Sequence, residues 1–137
     1  MRLPLLPSLA LALATALSVV APPALAQAPA AQPIRLGLIL PLTGGSADMG
    51  NSARVGAQVA VEEINAVGGY LGRKLELVIR DDQANNDMGL KHAEELVLTE
   101  KVAATVGFCN TGVAMKALDV FQNNQHVLIV PCATGTA

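Results

Sequence analysis

The sequence predicts an α/β fold, a doubly wound parallel sheet with helices on both faces. Three observations predict it. Four short apolar runs punctuate the chain, at Ile34–Leu40, 74–80, 103–108 and 127–130. IRLGLIL and LELVI are mostly Ile, Leu and Val, and the last two runs are nearly continuous, as strands buried on both faces of a parallel sheet require. Helical periodicity fills each gap, and strand–helix alternation implies right-handed crossovers.

The first helix is written by Ala53, Gly56, Ala57, Ala60, Val61, Ile64 and Val67, an apolar stripe at helical spacing that stops at Gly68-Gly69. Leu90, Ala93, Leu96 and Val97 write the second, and Ala114, Ala117, Leu118 and Phe121 the third. Ligands of such sheets bind beyond the carboxyl ends of the strands. The segments to inspect are therefore the loop after Leu40, then 81–87, 109–112 and 132–135.

The amino terminus reads as an export signal. Arg2 precedes an apolar run from Leu3 to Val20, Pro22-Pro23 breaks it, and Ala24-Leu25-Ala26 has the small-x-small form of a cleavage site. An uncleaved anchor is the alternative, and the alanine-rich site with polar residues after it favours removal. Residues 1–26 are assigned as signal peptide, 27–33 (QAPAAQP) as a flexible leader and 34–137 as the folded part. The chain's net charge is −2; loss of Arg2 leaves eight basic against eleven acidic residues, which gives no reason to expect nucleic acid as a partner. The chain ends just after VLIVP, leaving a strand with nothing to follow it, and this reads as the front part of a longer protein.

GGSADMGNS, residues 44–52, is one letter from a phosphate-cradling loop. Asn51 stands where the essential lysine would be, and no dinucleotide-type glycine spacing is present. A turn lining a ligand cleft is the preferred reading, with Gly44, Gly45 and Gly50 permitting it. Asp81-Asp82 has no nucleophile or base in a matching position, so both read as turn and capping residues. His92 and His126 have no metal-ligand company and read as surface residues. No enzyme constellation, metal set or cofactor motif emerges.

Asn110-Thr111-Gly112 opens the third helix, where an Asn is an ordinary cap and where amides and a hydroxyl can also face an anion. Cys132-Ala133-Thr134-Gly135 ends the next strand, with a carbonyl and a hydroxyl able to accept from an ammonium group. Cys109 and Cys132 sit at equivalent places past their strands. If the strands are neighbours, roughly 4.8 Å apart, a disulfide is within reach, with about 3 kcal/mol of loop-closure stabilisation. Two buried thiols are the other reading.

Taken together, IRLGLILPLTG, GAQVAVEEINAVGGYLGRKLELVIRDDQ, VGFCNTGVA and VLIVPCATGTA resemble the opening of bacterial periplasmic leucine/isoleucine/valine-binding proteins. The resemblance runs from Ile34 to Thr136. It implies a type I periplasmic-binding-protein fold, of which this chain is the early part of the N-terminal lobe. It implies a solute-binding component of an ABC importer, not an enzyme. The ligand would be a branched-chain amino acid or a related small carboxylate or amide, delivered to an inner-membrane permease from the periplasm, with no cofactor. By the same likeness Thr111 bonds the ligand carboxylate, the Cys132 carbonyl and Thr134 hydroxyl hold its ammonium, and Met49, Phe108, Cys109 and Asn110 line the side-chain pocket. A ligand-sensing receptor module and a non-functional product of an interrupted gene are the alternative readings. The family carries an aromatic residue where Met49 stands and a cysteine in the region of Ala84 and Asn85, so pocket shape and any disulfide differ here.

Overall fold

Residues 31–135 are described by a computed structural model; the signal-peptide assignment lies outside them. A four-stranded parallel sheet is ordered β2-β1-β3-β4, with β1 Ile34–Leu40, β2 Leu75–Asp81, β3 Ala104–Val106 and β4 Leu128–Ile129. Helices α1 (Ala47–Ala66), α2 (Asn86–Glu94) and α3 (Thr111–Asn123) make the crossovers. α2 continues into a π-helical turn over Glu95–Thr99.

The step from β1 to β2 runs one way and the step from β2 to β3 runs back across β1. With right-handed crossovers this puts α1 on one face and α2 with α3 on the other. The pleat sorts the side chains accordingly. Ile39 and Val78 pack with Ala93, Leu96, Val102, Phe108, Val113, Ala117 and Phe121. Leu38 and Leu40, one residue out of phase, are buried on the α1 side. Phe108 and Phe121 meet edge to face at 6.2 Å and are fully buried, each contributing on the order of 2 kcal/mol by transfer from water. Gly37 lets the π turn close on β1, since a Cβ there would stand 2.8 Å from Leu96 Cδ1.

The predicted stripes of α2 and α3 match the buried residues, but that of α1 does not. Ile64 and Val67 are exposed, and the sheltered side runs through Gly50, Arg54, Ala57, Val61 and Asn65. Among the described residues α1 packs mainly on β1 and β2, so it needs a narrower apolar face than a fully packed helix. Asn65 replaces apolar contact with hydrogen bonds, donating to Leu75 O at 2.9 Å and accepting from Leu75 N at 2.8 Å. The helix ends at the glycine pair as expected, with Gly69 N–H on Ile64 O.

Two further expectations change. The end of the leader is docked, because Arg73 donates to the carbonyls of Gln32 and Pro33. The histidines are partly buried rather than on the surface. His126 Nε2 lies 3.0 Å from the buried Thr105 hydroxyl, and burial lowers its pKa. His92 Nδ1 lies 3.3 Å from Glu95. An ion-pair network under the π turn was not foreseen: Arg80 reaches Glu95 at 3.0 Å and Glu100 at 3.1 Å, and Glu100 also takes Arg35 at 2.7 Å.

Candidate functional site at the strand ends

Because the strands are parallel, their carboxyl ends share one edge, where the loops after Leu40, Asp81, Val106 and Ile129 gather. The first loop is shorter than the sequence predicts. Only Gly44, Gly45 and Ser46 turn, with Gly44 at φ +81°, and the chain is helical from Ala47. Asp48 in the first turn favours the helix start. Gly50 is therefore a helix residue. It presses against the Pro41 carbonyl, where a Cβ would collide. Asn51, at the position of the absent lysine, donates to the carbonyls of Leu42 at 3.0 Å and Ala47 at 2.9 Å and so braces the loop internally.

The acidic pair has the local role expected of it. Asp81 accepts from Leu42 N, Thr43 N, the Thr43 hydroxyl and Gln83 N, which together outweigh the upward push of its partial burial and lower its pKa. Asp82 is buried and accepts from Ala84 N at 2.9 Å, while its Oδ2 has no partner among the described residues. Burial raises its pKa.

The β3 and β4 ends come together. Asn110 caps α3, its side chain accepting from Gly112 N at 2.9 Å and Val113 N at 3.3 Å, so those amides are already occupied. The Thr111 hydroxyl accepts from Gly135 N–H at 3.1 Å and keeps its own O–H to donate. The Cys109 thiol donates to Cys132 Sγ at 2.9 Å, and burial, followed by that contact, pushes the Cys109 pKa up to about 12. Thr134 is exposed and Cys132 half-buried. Beside them opens a cleft of about 200 Å³ with Thr111, Ala133 and Gly135 at one end and Ala114, Leu118 and Val130 among its apolar walls.

Met49 and Phe108, also expected in the pocket, are not among the residues lining that cleft. Met49 is on the first turn of α1, on the opposite face of the sheet from α3, and is 53% exposed. Phe108 is taken up by the core against Phe121, so its ring does not line the strand-end surface. Gly135 as the partner of Thr111 was missed, since the sequence shows no signal for a backbone donor.

Such an edge can bind a zwitterion: a hydroxyl to donate toward a carboxylate, with neighbouring carbonyl and hydroxyl oxygens to accept from an amine. A family model described as periplasmic binding protein matches residues 33–137. The chain is 38% identical over 102 residues to Leu/Ile/Val-binding protein homolog 3 of Brucella melitensis, covering 74% of this chain and 27% of that protein. It is 39% identical to Leu/Ile/Val-binding protein BraC3 of Rhizobium johnstonii, covering 74% and 28%. The fold superposes on the branched-chain amino acid transporter substrate-binding protein LivJ of Streptococcus pneumoniae, solved with isoleucine, at a TM-score of 0.74 and 32% identity, covering 77% of this chain and 30% of that one. A solute-binding protein of Rhodopseudomonas palustris, in complex with 3,4-dihydroxybenzoic acid, matches at 0.68 and 28%, covering 74% and 27%. The chain thus spans between 27% and 30% of the length of these proteins. With sequence and fold agreeing over nearly all the described residues, the chain belongs to the periplasmic binding protein family and has the parallel α/β architecture of its type I members.

Proposed function

We propose that this chain supplies one wall of the ligand site of an extracytoplasmic solute-binding protein serving an ABC importer. Its ligand is a branched-chain amino acid or a related small carboxylate, handed to an inner-membrane permease. The observation that carries this reading is the pairing of Thr111 with the Cys132–Gly135 segment at adjacent strand ends. Thr111 donates to the ligand carboxylate; the Cys132 carbonyl and the Thr134 hydroxyl accept from its ammonium. Residues 1–26 direct export, and residues 34–137 form the early part of a first lobe. The relatives' remaining length supports a facing wall that would desolvate the ligand, so this wall alone binds weakly.

The relative bound to 3,4-dihydroxybenzoic acid favours a second reading, an aromatic carboxylate without an amine. Both are tested by titrating the isotopically labelled chain with leucine, isoleucine, valine and 3,4-dihydroxybenzoate while following backbone amide shifts. The first reading expects saturable shifts in the millimolar range at Thr111, Ala133, Thr134 and Gly135 with the amino acids. Response to the benzoate alone selects the second reading. No response at those amides to any of the four overturns both.

A further inference from the structure

We propose that Cys109 and Cys132 form an intrachain disulfide that locks the β3 and β4 ends together and fixes the spacing of Thr111 from the Cys132–Gly135 segment. Register carries the argument. β3 and β4 are parallel neighbours with Val106 opposite Ile129, and each cysteine lies three residues beyond its member of that pair. Gly107 N–H continues the ladder to Ile129 O at 3.0 Å, so the two chains are still in step as they leave the sheet. Neighbouring strands stand within the Cα separation a disulfide accepts, and the two sulfurs are already in contact. The chain has two cysteines, so neither has a competing partner within it. Both are half-buried, open enough for an exchange partner to reach. Among the described residues no third His, Cys, Asp or Glu joins them to make a metal site.

The bond forms by exchange with an oxidised dithiol oxidoreductase or a small-molecule disulfide. Cys132 loses its proton and attacks one sulfur of the donor, which expels a thiolate and leaves a mixed disulfide on Cys132. Cys109 then loses its proton, attacks the Cys132 sulfur and expels the second thiolate. Two electrons pass to the donor, which leaves as two thiols carrying the two protons. The same exchange with the two cysteines in reversed roles gives the same bond and the same two thiols. A closed loop containing all of α3 results, and the Thr111–Gly135 hydrogen bond ties a residue inside that loop to one just beyond it.

The test uses the full chain expressed with its own leader and collected from the oxidising compartment into iodoacetamide without reductant. The proposal expects a monomer that takes up no alkyl group, two hydrogens lighter than the dithiol, with a crosslinked peptide joining Cys109 to Cys132. The reduced chain, incubated with oxidised glutathione, should reach the same species. Two alkylated cysteines from both preparations, or a disulfide-linked dimer, overturn it. Hydrogen exchange tests the lock itself. The amides of Thr111 and Gly135 should exchange at least about tenfold more slowly in the bridged form than after reduction. The Cys109→Ser, Cys132→Ser double variant should match the reduced form. A bridge that leaves those rates unchanged overturns the positioning role. Neither readout involves a ligand, so the outcome is independent of what the site binds.

Discussion

The Thr43 hydroxyl donates to Asp81 Oδ2 at 2.6 Å, while Leu42 N and Thr43 N donate to Oδ1 of the same carboxylate. One side chain at the end of β2 thus ties down the loop leaving β1. Asp81→Ala should destabilise the chain by about 2 kcal/mol, because several donors lose a charged acceptor. Denaturant titration of Asp81→Ala, Thr43→Val and the double variant should give a coupling of about 1 kcal/mol. Strictly additive losses would mean that the hydroxyl contact contributes nothing.

Two helical glycines of α1 should respond to alanine with opposite sign. A Cβ on Gly50 meets the Pro41 carbonyl, which is backbone and cannot swing aside, whereas one on Gly56 meets nothing within 4 Å. Gly50→Ala should therefore cost about 2 kcal/mol, as α1 is levered off the end of β1. Gly56→Ala should stabilise by up to about 1 kcal/mol through helix propensity. Thermal melts of the two variants settle the contrast, and equal shifts would place Gly50 outside any tight contact.

That glycine also marks where the sequence stopped being legible. The strands could be read because burial on both faces demands runs such as IRLGLIL, and their centres were placed within a residue or two. The start of α1 could not, since Gly50 resembles a turn residue until the approach of Pro41 is known. The polar shelter of α1 by Asn65 and the pairing of Arg80 with Glu95 depend on contacts distant in sequence. No periodicity encodes them. At the candidate site the cap at Asn110 followed from local chemistry, whereas the sequence placed the cysteines together only on the condition, met in the sheet, that β3 and β4 are neighbours. The Phe108 ring did not, because whether it meets ligand or Phe121 is decided by packing.

Glu95 should make the chain acid-sensitive. Its hydrogen bonds to Arg80 and then His92 lower its pKa from 4.5 to about 2, so the folded state holds this proton less tightly than the unfolded one. The stability it contributes is complete above about pH 4.5 and is lost as pH falls toward 2. With its side chain 37% exposed, solvent screening limits the effect to about 1 kcal/mol. Glu95→Gln should lower stability at pH 7 and match the parent chain near pH 2. An equal deficit at both pH values would assign the loss to packing.

Asp82 should act in the opposite sense. Its carboxyl is buried, Oδ2 has no partner among the described residues, and burial raises its pKa. The folded state therefore binds this proton more tightly, and stability falls as pH rises from the unfolded value through the folded one. Asp82→Asn keeps an oxygen for Ala84 N and removes the buried charge. It should be more stable than the parent at pH 7, with the gain shrinking in acid. A loss at pH 7 would mean that the ionised carboxylate is itself stabilising.

Thr111 separates the structural from the recognition role of one hydroxyl. It accepts from Gly135 N–H, and in the proposed site its own hydrogen points to a carboxylate. Thr111→Ser preserves both bonds and should leave ligand-induced amide shifts intact. Thr111→Val is nearly isosteric and removes both, so it should weaken leucine binding, read from those shifts, about tenfold and speed exchange of the Gly135 amide. The discriminating comparison is a ligand series rather than a single variant. Replacing leucine by leucinamide removes the carboxylate and leaves the ammonium. If Thr111 reads the carboxylate, leucinamide should bind the parent chain about tenfold or more less tightly, and Thr111→Val should show little preference between the two. A preference that survives in Thr111→Val would place the carboxylate against another donor.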